Sequence, residues 1–305
     1  MSISKEAQMT EWFAQQSKLD ERRFPIGIGD DMAQMRLGDT DSILITTDML
    51  LDGSHFVYDT AGAERVGYKA MACNLSDCAA MATVPLCAVC SVALPRGFAS
   101  DELKRIHAGI LRGGNMFDCA LVGGDITSWE GKLAISITML SKPGASEPVR
   151  RSTAKAGDII CVTGVLGGSG AGRHLEFVPR VREALALASM VKINSMMDIS
   201  DGISTDLNHL CRLSGVGAKI YADKLPVSDA ARLGGDAVGA ALNDGEDFEL
   251  LFTVAAENFE VIKKNWKFDV GITAVGEITE NREVLIERDG QVKILEASGF
   301  DHLGH

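Results

Sequence analysis

The chain has 305 residues, 46% of them hydrophobic and 24% charged, the composition of an ordinary globular protein with no sign of disorder. Its net charge of −12 argues against general nucleic-acid binding, because a phosphate backbone needs a basic surface to release its counterions. No apolar run reaches the roughly 18 residues of a membrane helix, and the opening MSISKEAQMTEW lacks both the basic and the apolar region of a secretory signal, so the chain is expected to stay in the cytoplasm.

The length exceeds what one hydrophobic core usually spans, which predicts two domains, 1–143 and 144–305. The first begins with a helix, followed by the strand SILITTD and a helix from about Ala63 to Met81. Next come the strand LCAVCSVAL, a helix opened by Ser100-Asp101-Glu102, and the strands CALVGGD and LAISITML. The turn formers of SKPGASEP, 141 to 148, read as a linker. Beyond it lie the strand DIICVTG, the glycine-rich loop GVLGGSGAG and helices around 181–190 and 203–214. The strands AKIYAD and DFELLFTV follow, and a hairpin turning at Asp289-Gly290 closes the chain. Alternating strands and helices give an α/β (α+β) class.

Seven cysteines fall within the first 211 residues without framework spacing. Cys73, Cys78, Cys87 and Cys90 would suffice for zinc, but Cys87 and Cys90 sit in an apolar strand, so buried reduced thiols are the preferred reading.

The acids carry the chemistry. GIGDDMA supplies Asp30 and Asp31, TTD supplies Asp48 at a strand end, and NLSD supplies Asp77; GGD supplies Asp125 at another strand end, and MDISDG supplies Asp198 and Asp201. Any one of these can be a helix cap or turn residue. Asp77 points further, since Ala70, Asn74, Asp77 and Met81 share one helical face that mixes small apolar side chains with two oxygen-bearing ones. Converging carboxylates about 4 Å apart would repel by about 4 kcal/mol a pair at an effective dielectric of 20, so such a set needs cations. Oxygen-only ligands select Mg2+, Ca2+ or Mn2+, and Mg2+ is commonly shared with substrate phosphates. Metal-assisted phosphoryl transfer follows. The usual phosphate loops are not its vehicle. GVLGGSGAGRH places Arg173 and His174 where a Walker loop needs Lys and Ser or Thr, and GIG fails the dinucleotide pattern.

In order and spacing, GIGDDMA, TTDMLLDGSHF, GYKAMACNLSDCAAMA, GGDIT, RSTAKAGD, VTGVLGGSGAG, MDISDG, GEDFELLFT and GFDH resemble the thiamine-monophosphate kinase family of the aminoimidazole ribonucleotide synthetase superfamily, from Gly27 to His302. The resemblance implies a two-domain fold whose N-terminal sheet dimerises and binds ATP, with an α+β C-terminal domain completing the site. It implies transfer of the γ-phosphoryl of ATP to thiamine monophosphate by direct in-line attack, with several Mg2+ ions and no general base. By matching positions it implies Asp30, Thr46, Thr47, Asp48, Asp77, Asp125, Asp198 and Asp201 as metal ligands. It also implies Gly124, Asp125, Arg151 and Ser200 at the nucleotide, and His55, Glu246 and Phe300 at the acceptor, with Asp48, Asp125 and Arg151 central to catalysis. Phe300 can equally be read as an aromatic anchor for the end of the chain.

Three positions depart from the family pattern: Ser128 follows GGDIT where Arg is usual, Asp244 replaces a glycine before GED, and Gly168 stands where an acid commonly follows the first glycine. Other ATP-dependent members of the superfamily are the nearest alternatives. No cysteine precedes Cys73, against selenophosphate synthetase, and none follows Cys211, against the hydrogenase maturation protein. A non-catalytic nucleotide or metal sensor would show lost ligands, and none is missing.

Overall fold

The computed structural model describes residues 4–39 and 41–303. Helix α1 (Lys5–Gln16) opens on Ser4, whose hydroxyl accepts from the Ala7 N–H and satisfies a first-turn donor. There follow β1 (Ala33–Arg36), β2 (Ser42–Leu51), the short α2 (Tyr58–Ala61), α3 (Ala63–Ala80), β3 (Thr83–Pro95), α4 (Ser100–Asn115), β4 (Ala120–Trp129) and β5 (Ala134–Pro143). The strands form a sheet in the order β1-β2-β5-β3-β4, antiparallel except for β3 and β4, which α4 joins as a parallel pair.

Two acids expected at strand ends lie inside strands. β2 continues past Asp48 to Leu51 because its alternation continues, with Leu44, Thr46 and Leu50 turned inward and Ile45, Thr47, Met49 and Leu51 outward. β4 likewise continues past Asp125, which pairs in register with Ser91, to Trp129. The expected linker also starts too early. β5 extends to Pro143, and Ser141, fully buried, donates to the Thr83 hydroxyl at 2.9 Å, a partner distant in sequence that turn propensity cannot register.

Helix α3 is buried on nearly every side, as its run of Ala, Gly, Cys and Ser anticipates. It crosses α4 at close range: a Cβ on Gly67 would stand 2.0 Å from the Ile106 carbonyl oxygen, and one on Gly109 1.9 Å from that of Glu64. Only glycine permits this crossing.

The second half comprises β6 (Ile159–Thr163), α5 (Val181–Met190), β7 (Ser195–Asp198), α6 (Ile203–Ser214), β8 (Gly217–Tyr221), α7 (Asp229–Leu233), α8 (Ala237–Asn243), β9 (Leu250–Val254), α9 (Ala256–Asn265), β10 (Ile272–Thr279), β11 (Val284–Arg288) and β12 (Gln291–Ile294). These strands form a sheet ordered β12-β11-β8-β10-β6-β9-β7, antiparallel except for β8 with β11. The β11–β12 hairpin turns at Asp289 (φ 53°) and Gly290 (φ 74°), the paired positive angles that match strand twist.

One apolar core runs from the inner face of the first sheet through α3 and α4 to α5, α9 and the Leu250, Phe252 and Val254 face of β9. A second core, on the other face of that sheet, packs Ile203, Leu207 and Leu210 of α6 against Ile160, Val162 and Ile220. The outer face of the first sheet is left uncovered and apolar, with Met49 60% and Val89 40% exposed. Among the described residues no helix is long and apolar enough to cross a membrane.

Candidate active site

Between the two sheets lies a cavity of about 510 Å3 that gathers most of the residues singled out in the sequence. Asp30, Thr46, Thr47, Asp48, His55, Asp77, Arg151, Asp198, Ser200, Asp201, Glu246 and Phe300 all line it. Helix α3 supplies its floor with Lys69, Cys73 and Asp77, spaced four residues apart and so stacked along one stripe.

At one end the carboxylates of Asp31, Asp77 and Asp198 each present an oxygen within 4.8 Å of the others. Fixed partners orient them. The Thr46 hydroxyl donates to Asp77, the Ser76 hydroxyl to Asp198 at 2.5 Å, and the Arg151 guanidinium to both oxygens of Asp31 at 2.8 and 2.5 Å. Burial raises Asp48 to about 6, with Asp31 adding repulsion, and burial raises Asp198 and Asp201 to about 7. Asp77 is pushed far above the carboxylate range by burial and then by Asp48, Asp198 and Asp31. Protons or cations must therefore occupy this end at neutral pH. The donors are hard oxygens with few competing cations, and Asn74, fully buried one turn before Asp77, keeps its Oδ1 without a hydrogen-bond partner. Such a set fits a hard divalent cation.

The other end is built around Lys69. Its ammonium pairs with Glu246, donates to the His55 carbonyl at 2.5 Å and lies 2.8 Å from His174 Nδ1. Burial alone would raise Glu246, but His174 and Lys69 outweigh it and hold the carboxyl below its usual value. The His55 ring lies 5.1 Å from that of His302, which in turn meets Phe300 edge-on at 4.7 Å. Burial lowers His55, and His302 and Lys69 lower it further.

Some predicted residues stand apart. Gly124 and Asp125 border a different, largely apolar cavity of about 800 Å3 between β4 and α4. Asp125 shares the outer face of the sheet with Ser91, and Thr47 turns its hydroxyl to that same face, where it accepts from Thr138 at 3.0 Å. Of the Asp30-Asp31 pair it is Asp31 that joins the acid cluster, while Asp30 accepts from the Arg151 N–H at 2.7 Å. Sequence reasoning also missed Lys69, although a lysine amid GYKAMAC, on a helix rich in small apolar residues, is a signal that a cation is being buried. Arg173 and His174, which disqualify the glycine-rich loop as a Walker loop, have structural partners: Arg173 pairs with Asp247, and His174 reaches Glu246 at 3.1 Å.

Two sheets around an acid-lined cleft define a class. Residues 29–142 match AIR synthase related protein, N-terminal domain, and residues 155–287 match AIR synthase related protein, C-terminal domain. Within that class, the thiamine-monophosphate kinase of Rhodopirellula baltica is 36% identical over 91% of this chain and 89% of its own, and that of Bacillus subtilis 32% identical over 91% and 93%. The solved structure of AaThiL complexed with AMPPCP and TMP superposes with a TM-score of 0.83 at 30% identity, covering 99% of both chains. The chain belongs to the thiamine-monophosphate kinase family.

Proposed function

We propose that the protein transfers the γ-phosphoryl group of ATP to thiamine monophosphate, yielding thiamine diphosphate, in the cytoplasm. The observation that carries this reading is one cavity with a carboxylate cluster at one end and His55, Glu246 and Phe300 at the other. The resemblance to AaThiL complexed with AMPPCP and TMP supports the same pair of substrates.

Asp31, Asp48, Asp77 and Asp198 would hold Mg2+, with Asp30 and Asp201 nearby, and the bound ions would neutralise the phosphates and the charge that develops in transfer. The protein's own contribution is position. Thr46, Ser76 and Arg151 keep the carboxylates aimed, so little reorganisation accompanies the reaction. Arg151 and Ser200 line the cavity where the nucleotide phosphates would lie. Glu246 accepts from the acceptor's amino group, and Phe300 offers a ring face to its cationic heterocycle. An acceptor phosphate oxygen, already largely deprotonated near neutral pH, attacks in line, so no general base is needed.

On this reading residues 1–143 carry the nucleotide and dimer functions and 144–305 complete the site. The apolar cavity beside Gly124 and Asp125 takes the nucleotide base. Two copies pair through the outer sheet face, which brings Asp125 and Thr47 to the interface. The test is ATP consumption measured side by side with thiamine monophosphate, thiamine and an aminoimidazole ribonucleotide. Turnover with thiamine monophosphate alone is expected; ATP binding without turnover on any of the three would favour a sensor.

A further inference from the structure

Lys69 is among the largest fully enclosed side chains of the described residues, 0% exposed, and it carries a charge. Burying an ammonium is strongly unfavourable unless its donors are satisfied. An ammonium has three N–H donors; this one gives two to Glu246 Oε1 and the His55 carbonyl, and His174 Nδ1, 2.8 Å away, closes the third side. They come from three separate segments, namely the turn after β2, the glycine-rich loop and the segment before β9. Enclosed in this way, with its side chain 1% exposed, Lys69 presents no donor to a phosphate. Its role is exerted through its partners.

Glu246 and His55 line the cavity, and Lys69 lies beneath them in its floor, almost wholly enclosed. The Glu246 side chain is 33% exposed against 1% for Lys69, so the carboxylate is what an incoming molecule meets. Glu246 also sits at φ 51°, a left-handed backbone angle that costs a non-glycine residue on the order of 1 kcal/mol and persists only where surroundings enforce it. Its N–H donates to the Ser200 carbonyl at 2.7 Å, which fixes the backbone, and Lys69 fixes the side chain. Asp77 of the acid cluster lies eight residues further along the same helix, an axial rise of about 12 Å. One rigid element thus sets the separation between carboxylate cluster and ring-binding groups.

We propose that Lys69 is the positioning residue of the acceptor subsite, holding Glu246 and the His55 turn at a fixed distance from the phosphoryl-transfer end, so that the amino-bearing cationic ring of the acceptor is selected together with its reach to the phosphate. This rests on the kinase reading above and adds to it a residue that determines acceptor specificity from behind the site. Without Lys69, Glu246 would be held by His174 alone and drawn toward the acid cluster and the cations it would hold. The acceptor would lose its fixed partner, and the nucleotide would not.

The test is a mutant cycle of wild type, Lys69→Met, Glu246→Gln and the double variant, with KM measured separately for thiamine monophosphate and ATP. Lys69→Met is expected to raise the acceptor KM by about ten-fold or more and to leave the ATP KM within about two-fold, a split that a general loss of folded protein does not produce. On the Glu246→Gln background the same change should alter the acceptor KM by less than about two-fold, because its effect passes through Glu246. That second comparison stands even if the single Lys69→Met variant fails to fold, since the double variant leaves no unpaired buried charge. Equal rises in both KM values, or a further ten-fold loss in the double variant, would overturn the proposal. A wild-type protein that does not turn over thiamine monophosphate overturns the kinase reading and this inference with it, whereas wild-type turnover with an unmoved Lys69→Met acceptor KM overturns the inference alone.

Discussion

Asp48 stands next to a carboxylate that raises its own proton affinity, which gives its substitution a signature. Asp48→Asn removes a charge from the cluster and should cut turnover by about 10² to 10³, the usual scale for loss of a charge-stabilising group. Without divalent ions the variant should melt no lower than wild type, since a repulsion is relieved; a structural aspartate would instead show normal turnover and a lower melting temperature. The Asp30-Asp31 pair gives a sharper contrast, with Asp31→Asn expected to impair turnover at saturating Mg2+ well beyond Asp30→Asn. The sequence exposes the pair but not the choice within it, because the choice is made by Arg151, 121 positions from Asp30 along the chain. His209 contributes to the acid response with a sign of its own. Burial and the Arg151 charge push His209 down to about 4, so between its ordinary 6.5 and that value the unfolded chain binds a proton that the folded chain refuses. Stability from this group is complete above pH 6.5 and falls by about 3 kcal/mol on acidification to pH 4. Asp48, Asp198 and Asp201, whose folded values are raised, work in the opposite direction, so the quantity to measure is the difference between wild type and His209→Asn across that range in urea titrations. A difference independent of pH would refute the assignment.

At the scale of elements, the closeness of α3 and α4 rests on two missing side chains. Gly109→Ala would place a methyl 1.9 Å from the Glu64 carbonyl oxygen and should destabilise by about 1 to 3 kcal/mol or more. Gly113→Ala meets side-chain atoms alone, Met71 at 3.1 Å and the Tyr68 ring at 3.5 Å, and should cost clearly less when both are compared by denaturant midpoint. The sequence made α3 legible from end to end, because its small residues and apolar run are local properties. Strand limits were less legible. β2, β4 and β5 each run beyond their predicted ends, since pairing with a neighbouring strand carries the chain on, in β5 through Ser141, Lys142 and Pro143, which read as turn formers. Two of the departures from the family pattern also meet in space: the Gly168 N–H donates to the Asp244 carboxylate at 2.8 Å. An acid absent from one loop is thus supplied by the facing one, and a side chain at Gly168 would collide with the Ala231 backbone nitrogen, 2.7 Å from its Cβ. The glycine-rich loop and the 244–248 segment thus form one contact unit, which a reading position by position cannot see. Ser128 has no such partner to account for it.

For the molecule as a whole, the uncovered outer face of the first sheet is where a second copy should sit. Val89, mid-strand on that face and outside the cavity, is the place to test it. Val89→Arg should convert a dimer to a monomer by light scattering and depress ATP turnover while leaving the fold intact; a wild-type monomer at micromolar concentration would rule the assembly out. Mg2+ should raise the melting temperature, because a ligand of the folded state alone adds about 2.7 kcal/mol at a hundred times its Kd. Melting indifferent to millimolar Mg2+ would count against the cluster as a metal site. The two-domain fold class was legible in the alternation of strands and helices, but the continuous core that binds the halves through α3 was not, since it depends on which faces meet. The cysteines offer a last consequence. All seven are free, and all but the half-buried Cys87 are buried. Five lie between residues 73 and 119 and two at 161 and 211, so each sheet and its helices carry their own concealed thiols. Pulsed alkylation read by mass would therefore time the opening of the two halves separately in the unmodified protein, and would show whether substrate slows both or only one.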